Sequence, residues 1–350
     1  MKNSDLKGAK KILIRSANWI GDAIMSTPVN RAVKLNFPDA HISVLAKPWV
    51  APIFYNNPYI DDILLYEDKD RHKGLAGKIR LGNDLRKHDF ELAILIQNAF
   101  EAAFVTFLAG IPKRVGYDTD TRGILLSNSI KLDPVLKKGH LIDYYLGIME
   151  GSSLRTDDRR LDLFLTEKER SLAEKILGKY GISGKDRLIG INPGAEFGTA
   201  KRWLPERFAE LSSRLAVSGN AKVIIFGTSG HKELGNNISE MSENICVNLC
   251  GDTSLREVLA LIEKCNLFIT NDSGLMHVAS AFDIPQVVII GSTDYIATGP
   301  VNPRSSIVRV PTSCSPCLRP DCPEDHRCMK RVTVDMVFNA AEKLLAENNK

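Results

Sequence analysis

The chain has 350 residues, 44% hydrophobic and 25% charged, which is ordinary for a soluble globular protein and enough for two domains with separate cores. No apolar run approaches the roughly 20 residues that span a bilayer, and the basic start MKNSDLKGAKK leads into only Ile12 to Ile14 before Arg15. A transmembrane anchor and a signal peptide are both unexpected, and the protein reads as cytoplasmic.

The net charge of +4 sits in the first 150 residues, which hold 21 Lys and Arg against 17 Asp and Glu; the remainder is balanced. Residues 69–88 (KDRHKGLAGKIRLGNDLRKH) carry seven of these cations and two Asp. Such a run is either a solvated helix face or an attractor of an anionic acceptor or membrane surface. Nucleic acid is not expected as a partner, because no aromatic residues interleave with the cations as stacking platforms.

In chain order, KILIR at Lys11–Arg15 is a short buried strand, followed by a loop and a helix over residues 23–36. HISVLA (41–46) and FELAILI (90–96) are further strands. A second series opens with LIGINPG (188–194) and a helix over 205–216, where Pro205 suits a first helical turn. AKVIIFG (221–227), LFIT (267–270) and PQVVIIG (285–291) continue it. SLREVLALIEKC (254–265) has helical spacing behind a Ser cap, and an amphipathic helix over 334–347 ends the chain. The two series meet somewhere in 160–187. We expect an α/β protein with two Rossmann-like domains facing a central cleft, residues 1–170 and 171–350, the C-terminal helix crossing back to the first domain. In such sheets, ligands sit beyond the carboxyl ends of the strands, so the loops there are the places to look for chemistry.

The first such loop is SANWIGD, 16–22. Gly21 permits a tight turn, and Asp22 stands at a helix start, as a cap or as a base for an attacking hydroxyl. The second is NPGAEFGTAKRW, 192–203, where Gly194 and Gly198 allow close backbone approach and Lys201 brings a compact charge, a pattern suited to diphosphate. Neither GxGxxG nor GxxxxGK[ST] is present. The third is TNDSGLMH, 270–277, whose helix start near Ser273 turns N–H groups into the loop, with His277 one turn further on the same face. A fourth, GTSGHKE (227–233), offers Glu233 as an acceptor for ribose hydroxyls, although a Glu in a first helical turn needs no ligand. Cys314, Cys317, Cys322 and Cys328 cluster with His326; by spacing alone this is a zinc or iron–sulfur signature, or else a reduced structural group. Cys246, Cys250 and Cys265 lie in apolar surroundings and belong to the core.

Taken together, NWIGD, PGAExGxAKRW, NDSGLMHVA and the late CSPC…CP…CM run resemble the ADP-heptose:lipopolysaccharide heptosyltransferases of glycosyltransferase family 9, over residues 10–340. The Asn-Trp form of the first loop is most similar to heptosyltransferase II, the branch that adds the second heptose. This resemblance implies a GT-B fold and an inverting, metal-independent transfer of heptose from ADP-heptose to the lipopolysaccharide inner core, with no cofactor, at the inner face of the inner membrane. By the same resemblance Asp22 is the catalytic base; Gly194, Lys201, Asp272, Ser273, Gly274 and His277 bind the donor, and Glu233 matches its ribose-binding acid. Asn18, Gly21 and Arg122, the last within GYDTDTRG, fall where the family binds acceptor. Heptosyltransferase I or III, and a nucleotide-sugar 2-epimerase of the same architecture, are the alternatives; a metal- or redox-sensing protein built on the cysteine run is a non-enzymatic one.

Overall fold

The computed structural model describes residues 6–347, and the chain divides into two compact units, residues 1–164 and 165–350. That division precedes the expected boundary by a few residues, because the helix that follows it belongs whole to the second unit. Both units follow the same plan. In each, short strands rich in Ile, Val and Leu alternate with helices, and the strands pair in parallel, which requires helical crossovers on the sheet faces.

The first unit runs β1 (Lys11–Arg15), α1 (Ile20–Met25), α2 (Thr27–Asn36), β2 (His41–Ala46), β3 (Asp62–Leu65), α3 (Gly74–Arg86), β4 (Leu92–Leu95), α4 (Phe100–Leu108), β5 (Lys113–Tyr117), β6 (Asn128–Ile130), α5 (Pro134–Lys138) and α6 (Leu141–Gly151). Its sheet order is β3-β2-β1-β4-β5-β6, all parallel. Chain direction across the sheet therefore reverses between β1 and β4, which opens a crevice beyond their carboxyl ends. The single helix expected over 23–36 is two, broken at Ser26. Pro28 has no N–H to continue the first helix, and the hydroxyls of Ser26 and Thr27 donate to the carbonyls of Ala23 and Ile24 at 2.9 and 2.7 Å. Buried Arg31 on α2 holds the unit's last segment: it pairs with Asp157, Asp158 and Asp162 and donates to the carbonyl of Asp158 at 3.0 Å and that of Arg160 at 3.2 Å.

The second unit runs α7 (Glu167–Lys179), β7 (Arg187–Asn192), α8 (Pro205–Gly219), β8 (Ala221–Ile225), α9 (Lys232–Met241), β9 (Cys246–Asn248), α10 (Leu255–Glu263), β10 (Leu267–Asn271), α11 (Gly274–Ala281), β11 (Gln286–Ile289), α12 (Tyr295–Thr298), β12 (Ser305–Val308), α13 (Arg327–Lys330) and α14 (Val334–Glu347). Its order, β12-β11-β10-β7-β8-β9, is again wholly parallel, with the reversal between β7 and β10. Reciprocal capping boxes, Thr166 with Glu169 and Ser254 with Glu257, start α7 and α10 and satisfy otherwise orphaned amides. Helix α14 packs on α8, β10, β11 and β12, its Val337, Ala341, Leu344 and Leu345 joining that sheet's core.

Candidate active site

In the first unit, the loop after β1 carries Asn18, Gly21 and Asp22. Gly21 and Asp22 lie in the first turn of α1, with Trp19 as N-cap. Gly21 has no positive φ, so its conformational freedom is not what this turn uses. Half-buried Asp22 accepts a hydrogen bond from the hydroxyl of Tyr145 on α6, at 2.9 Å. Asn18 is held from both sides: its side-chain oxygen accepts from buried Arg15 at 3.0 Å, and its carbonyl accepts from the Trp49 indole at 3.2 Å.

Arg122 is the third residue that the resemblance places at the acceptor. It is fully buried, and its guanidinium donates to the carbonyl of Tyr117 at 2.8 Å, to the carbonyl of Gln97, and to the side-chain oxygen of Asn98 at 2.8 Å. Burial pulls its pKa down to about 10. Three of its five N–H donors brace the chain at the ends of β4 and β5, and Asn98 in turn donates to the Tyr144 hydroxyl.

In the second unit, the loops after β7 and β10 meet at the sheet reversal. The β7–β10 register sets Asn192 opposite Thr270, and the Asn192 amide donates to Thr270 Oγ1 at 3.2 Å and to Ser273 Oγ at 2.8 Å. Asn271, fully buried, donates to the carbonyl of Pro193 at 2.8 Å and accepts from the Trp203 amide at 3.0 Å, stitching the two loops together. Between these anchors Gly198, at φ +148°, brings the backbone so near Pro320 that a Cβ would stand 2.1 Å from the Pro320 carbonyl oxygen. The 3-10 turn Thr199–Lys201 rests on the same segment: the Ala200 amide donates to Pro320 at 2.9 Å and Thr199 Oγ1 to Asp321 at 2.8 Å.

Lys201, so placed, sits 3.1 Å from buried Asp272 and over the ring of Phe197. Ser273 is the N-cap of α11 but its side chain does not cap, being engaged with Asn192 and Thr270. The first N–H groups of α11 thus have no side-chain cap, beside a lysine and the backbone of Gly274, which is the chemistry that receives phosphate oxygens. His277 is buried one turn further on. Glu233 is exposed in the first turn of α9.

Sequence reasoning missed the group beneath Gly194. A Cβ there would stand 2.6 Å from the ring of buried His231, which the Arg202 guanidinium approaches at 3.2 Å. Arginine only donates, so Nε2 accepts and Nδ1–H faces Thr228 Oγ1 at 3.2 Å, whose hydroxyl donates to Glu196 at 2.9 Å. Burial, opposed by Glu196 and aided by Arg202, lowers the His231 pKa. Two signals were available: Arg202 adjoins Lys201, and His231 lies in GTSGHKE.

Cys314, Cys317, Cys322 and Cys328 are free thiols lining one cavity of about 270 Å³ with Ser292, Arg319 and Arg327. Among the described residues no three His, Cys, Asp or Glu side chains are grouped to hold a metal ion. Cys246, Cys250 and Cys265 are buried.

Two parallel six-stranded α/β units, each with its polar loops at the sheet reversal, define a glycosyltransferase of the GT-B class. Residues 78–327 match glycosyltransferase family 9 (heptosyltransferase), and the chain belongs to this family. It is 31% identical over 349 residues to lipopolysaccharide heptosyltransferase 2 of Salmonella typhimurium, covering 96% of this chain and 99% of the other. To lipooligosaccharide heptosyltransferase 2 of Haemophilus influenzae it is 31% identical over 350 residues, with the same coverage of both chains. Among solved structures it is similar to ADP-heptose lps heptosyltransferase II of E. coli, with a TM-score of 0.82 and 29% identity over 97% of this chain and 100% of that one.

Proposed function

We propose that this glycosyltransferase moves heptose from ADP-heptose to the lipopolysaccharide inner core, adding the second heptose to heptosyl-Kdo2-lipid A with inversion and without a metal. One observation carries the reading: similarity over nearly the whole chain, at 31% identity, to proteins named heptosyltransferase 2. It also disfavours the epimerase and sensor alternatives.

The chemistry of the two loop clusters supports it. Displacement at an anomeric carbon needs a base for the incoming hydroxyl and stabilisation of charge growing on the departing diphosphate. Asp22 serves as the base. Lys201, the amides at the start of α11, and Gly274 receive the diphosphate, with Gly194 admitting the donor backbone closely and Asp272, Ser273 and His277 shaping that pocket. Glu233 accepts the ribose hydroxyls from its exposed place on α9. Asn18 and Gly21 flank the acceptor hydroxyl, Asn18 held in place by Arg15 and Trp49.

The acceptor is anionic and lipid-linked, and the protein works as a peripheral enzyme at the cytoplasmic face of the inner membrane. No helix among the described residues is long and apolar enough to cross a membrane. Support for surface binding comes from α3, where Leu75 and Ile79 are exposed beside the basic run, and from exposed Trp19 and Trp49, the latter with Lys47 and Lys69 over its ring. Part of that run is neutralised internally, Arg71 and Lys87 by Asp84 and Lys78 by Glu101.

The test is direct. Purified protein incubated with ADP-heptose and heptosyl-Kdo2-lipid A should add one heptose by mass, and a strain lacking the gene should make a core truncated after one heptose. A full-length core in that strain refutes the acceptor assignment.

A further inference from the structure

We propose that Tyr145 is a positioning residue for transfer: its hydroxyl, donated to Asp22 Oδ1 at 2.9 Å, fixes the orientation in which that carboxylate takes the acceptor proton. The inference rests on the reading of Asp22 as the base.

The geometry begins with α6. Tyr145 lies in its first half, on the side that packs against α1 and α2, and its side chain is buried. The neighbouring Tyr144 is stacked edge-on at 5.6 Å and receives Asn98, itself braced by Arg122. Tyr117 donates to the Tyr144 carbonyl at 2.7 Å, which fixes the helix backbone at that point. A buried phenol with a ring set edge-on against it, on a helix anchored in this way, has little rotamer freedom left, so a hydrogen bond from it carries positional information. Asp22, by contrast, stands half-buried in a helix of only six residues that ends at Ser26, and short helices depend on tertiary contacts for rigidity.

The chemistry agrees. Burial first, then the Asp22 carboxylate, drive the Tyr145 pKa well above the ordinary value. The phenol therefore stays protonated across the working range, always a donor and never a rival base. A donor to an ionised carboxylate favours the ionised form. Tyr145 thus exchanges some basicity of Asp22 for a fixed direction of attack, and alignment of reacting groups is worth more than a modest loss of driving force.

The experiment uses the full-length enzyme in three forms, Tyr145→Phe, Asp22→Asn and the double variant, each with ADP affinity and melting temperature measured alongside. If Tyr145 works through Asp22, Tyr145→Phe lowers kcat about tenfold with the donor KM and ADP affinity unchanged. The acid limb of its kcat–pH profile moves to higher pH, because Asp22 loses a bond that favoured its charged form. The double variant is then no slower than Asp22→Asn alone. Loss of packing alone leaves the acid limb where it was. If Asp22→Asn is severely impaired while Tyr145→Phe keeps wild-type kcat and acid limb, the positioning role is overturned and the base assignment stands. If Asp22→Asn turns over normally, the base assignment falls and the positioning role falls with it.

Discussion

Lys201 Nζ and Asp272 Oδ2 stand 3.1 Å apart, joining the turn after β7 to the loop after β10, with only 17% and 6% of the two side chains exposed. A pair this sheltered is poorly screened, and removing one member strands the other charge. Lys201→Ala therefore leaves the Asp272 carboxylate uncompensated where diphosphate should bind. We expect ADP affinity to fall by about ten- to a hundredfold, read by calorimetry. An unchanged ADP affinity removes Lys201 from the donor site.

Gly198→Ala tests how tightly that lysine's turn is seated. The position combines a φ of +148° with a Cβ site 2.1 Å from a backbone oxygen of Pro320, so neither the chain nor its neighbour can yield cheaply. The expected result is a lower melting temperature together with weakened ADP binding. Normal ADP binding in a folded Gly198→Ala protein shows that the height of the turn does not matter to the donor.

Arg122→Ala separates bracing from recognition. The substitution leaves two carbonyls and the Asn98 side-chain oxygen without their shared donor, a loss on the order of 3 kcal/mol. For a unit of this size the melting temperature should drop by roughly 10 °C, while acceptor KM in the surviving folded fraction stays near wild type. A stable variant with a raised acceptor KM restores the recognition role.

Glu169 gives the pH dependence a sign. Its hydrogen bond from Arg256, with the capping amide and hydroxyl of Thr166, holds its pKa down at about 2 against an ordinary 4.5. A carboxylate lowered on folding stabilises fully above its unfolded pKa and loses that contribution as pH falls toward the folded value. The α7–α10 contact should therefore weaken between about pH 4.5 and 2. Glu169→Gln should melt a few degrees below wild type at pH 7, with the gap closing as the pH is lowered through 4 to 3. A gap independent of pH shows that the ion pair contributes little.

The loops after β7 and β10 were legible as loops because their signal is local: NDSG and PGAEFGTAK each follow an apolar run, and a parallel sheet puts such loops at its carboxyl edge. Two kinds of feature were not. Tyr145 meets Asp22 across 123 residues, and nothing in the LIDYYLG segment distinguishes the tyrosine that reaches the carboxylate from its neighbour. Arg122 shows the converse: sequence reveals a guanidinium near a motif but not the backbone carbonyls around which it folds. Edge strands such as β9 and β12 carry only three and four residues, too few for periodicity to declare them.

Arg31 decides where the first unit can be cut. The stretch from Asp157 to Asp162 has neither helix nor strand, yet its carboxylates and carbonyls are the counter-charges of an arginine sunk in α2. A fragment stopped before Asp157 would keep every strand of its sheet and still bury a lone cation. An autonomous N-terminal half must carry this ragged tail through Asp162, although by secondary structure alone it looks expendable.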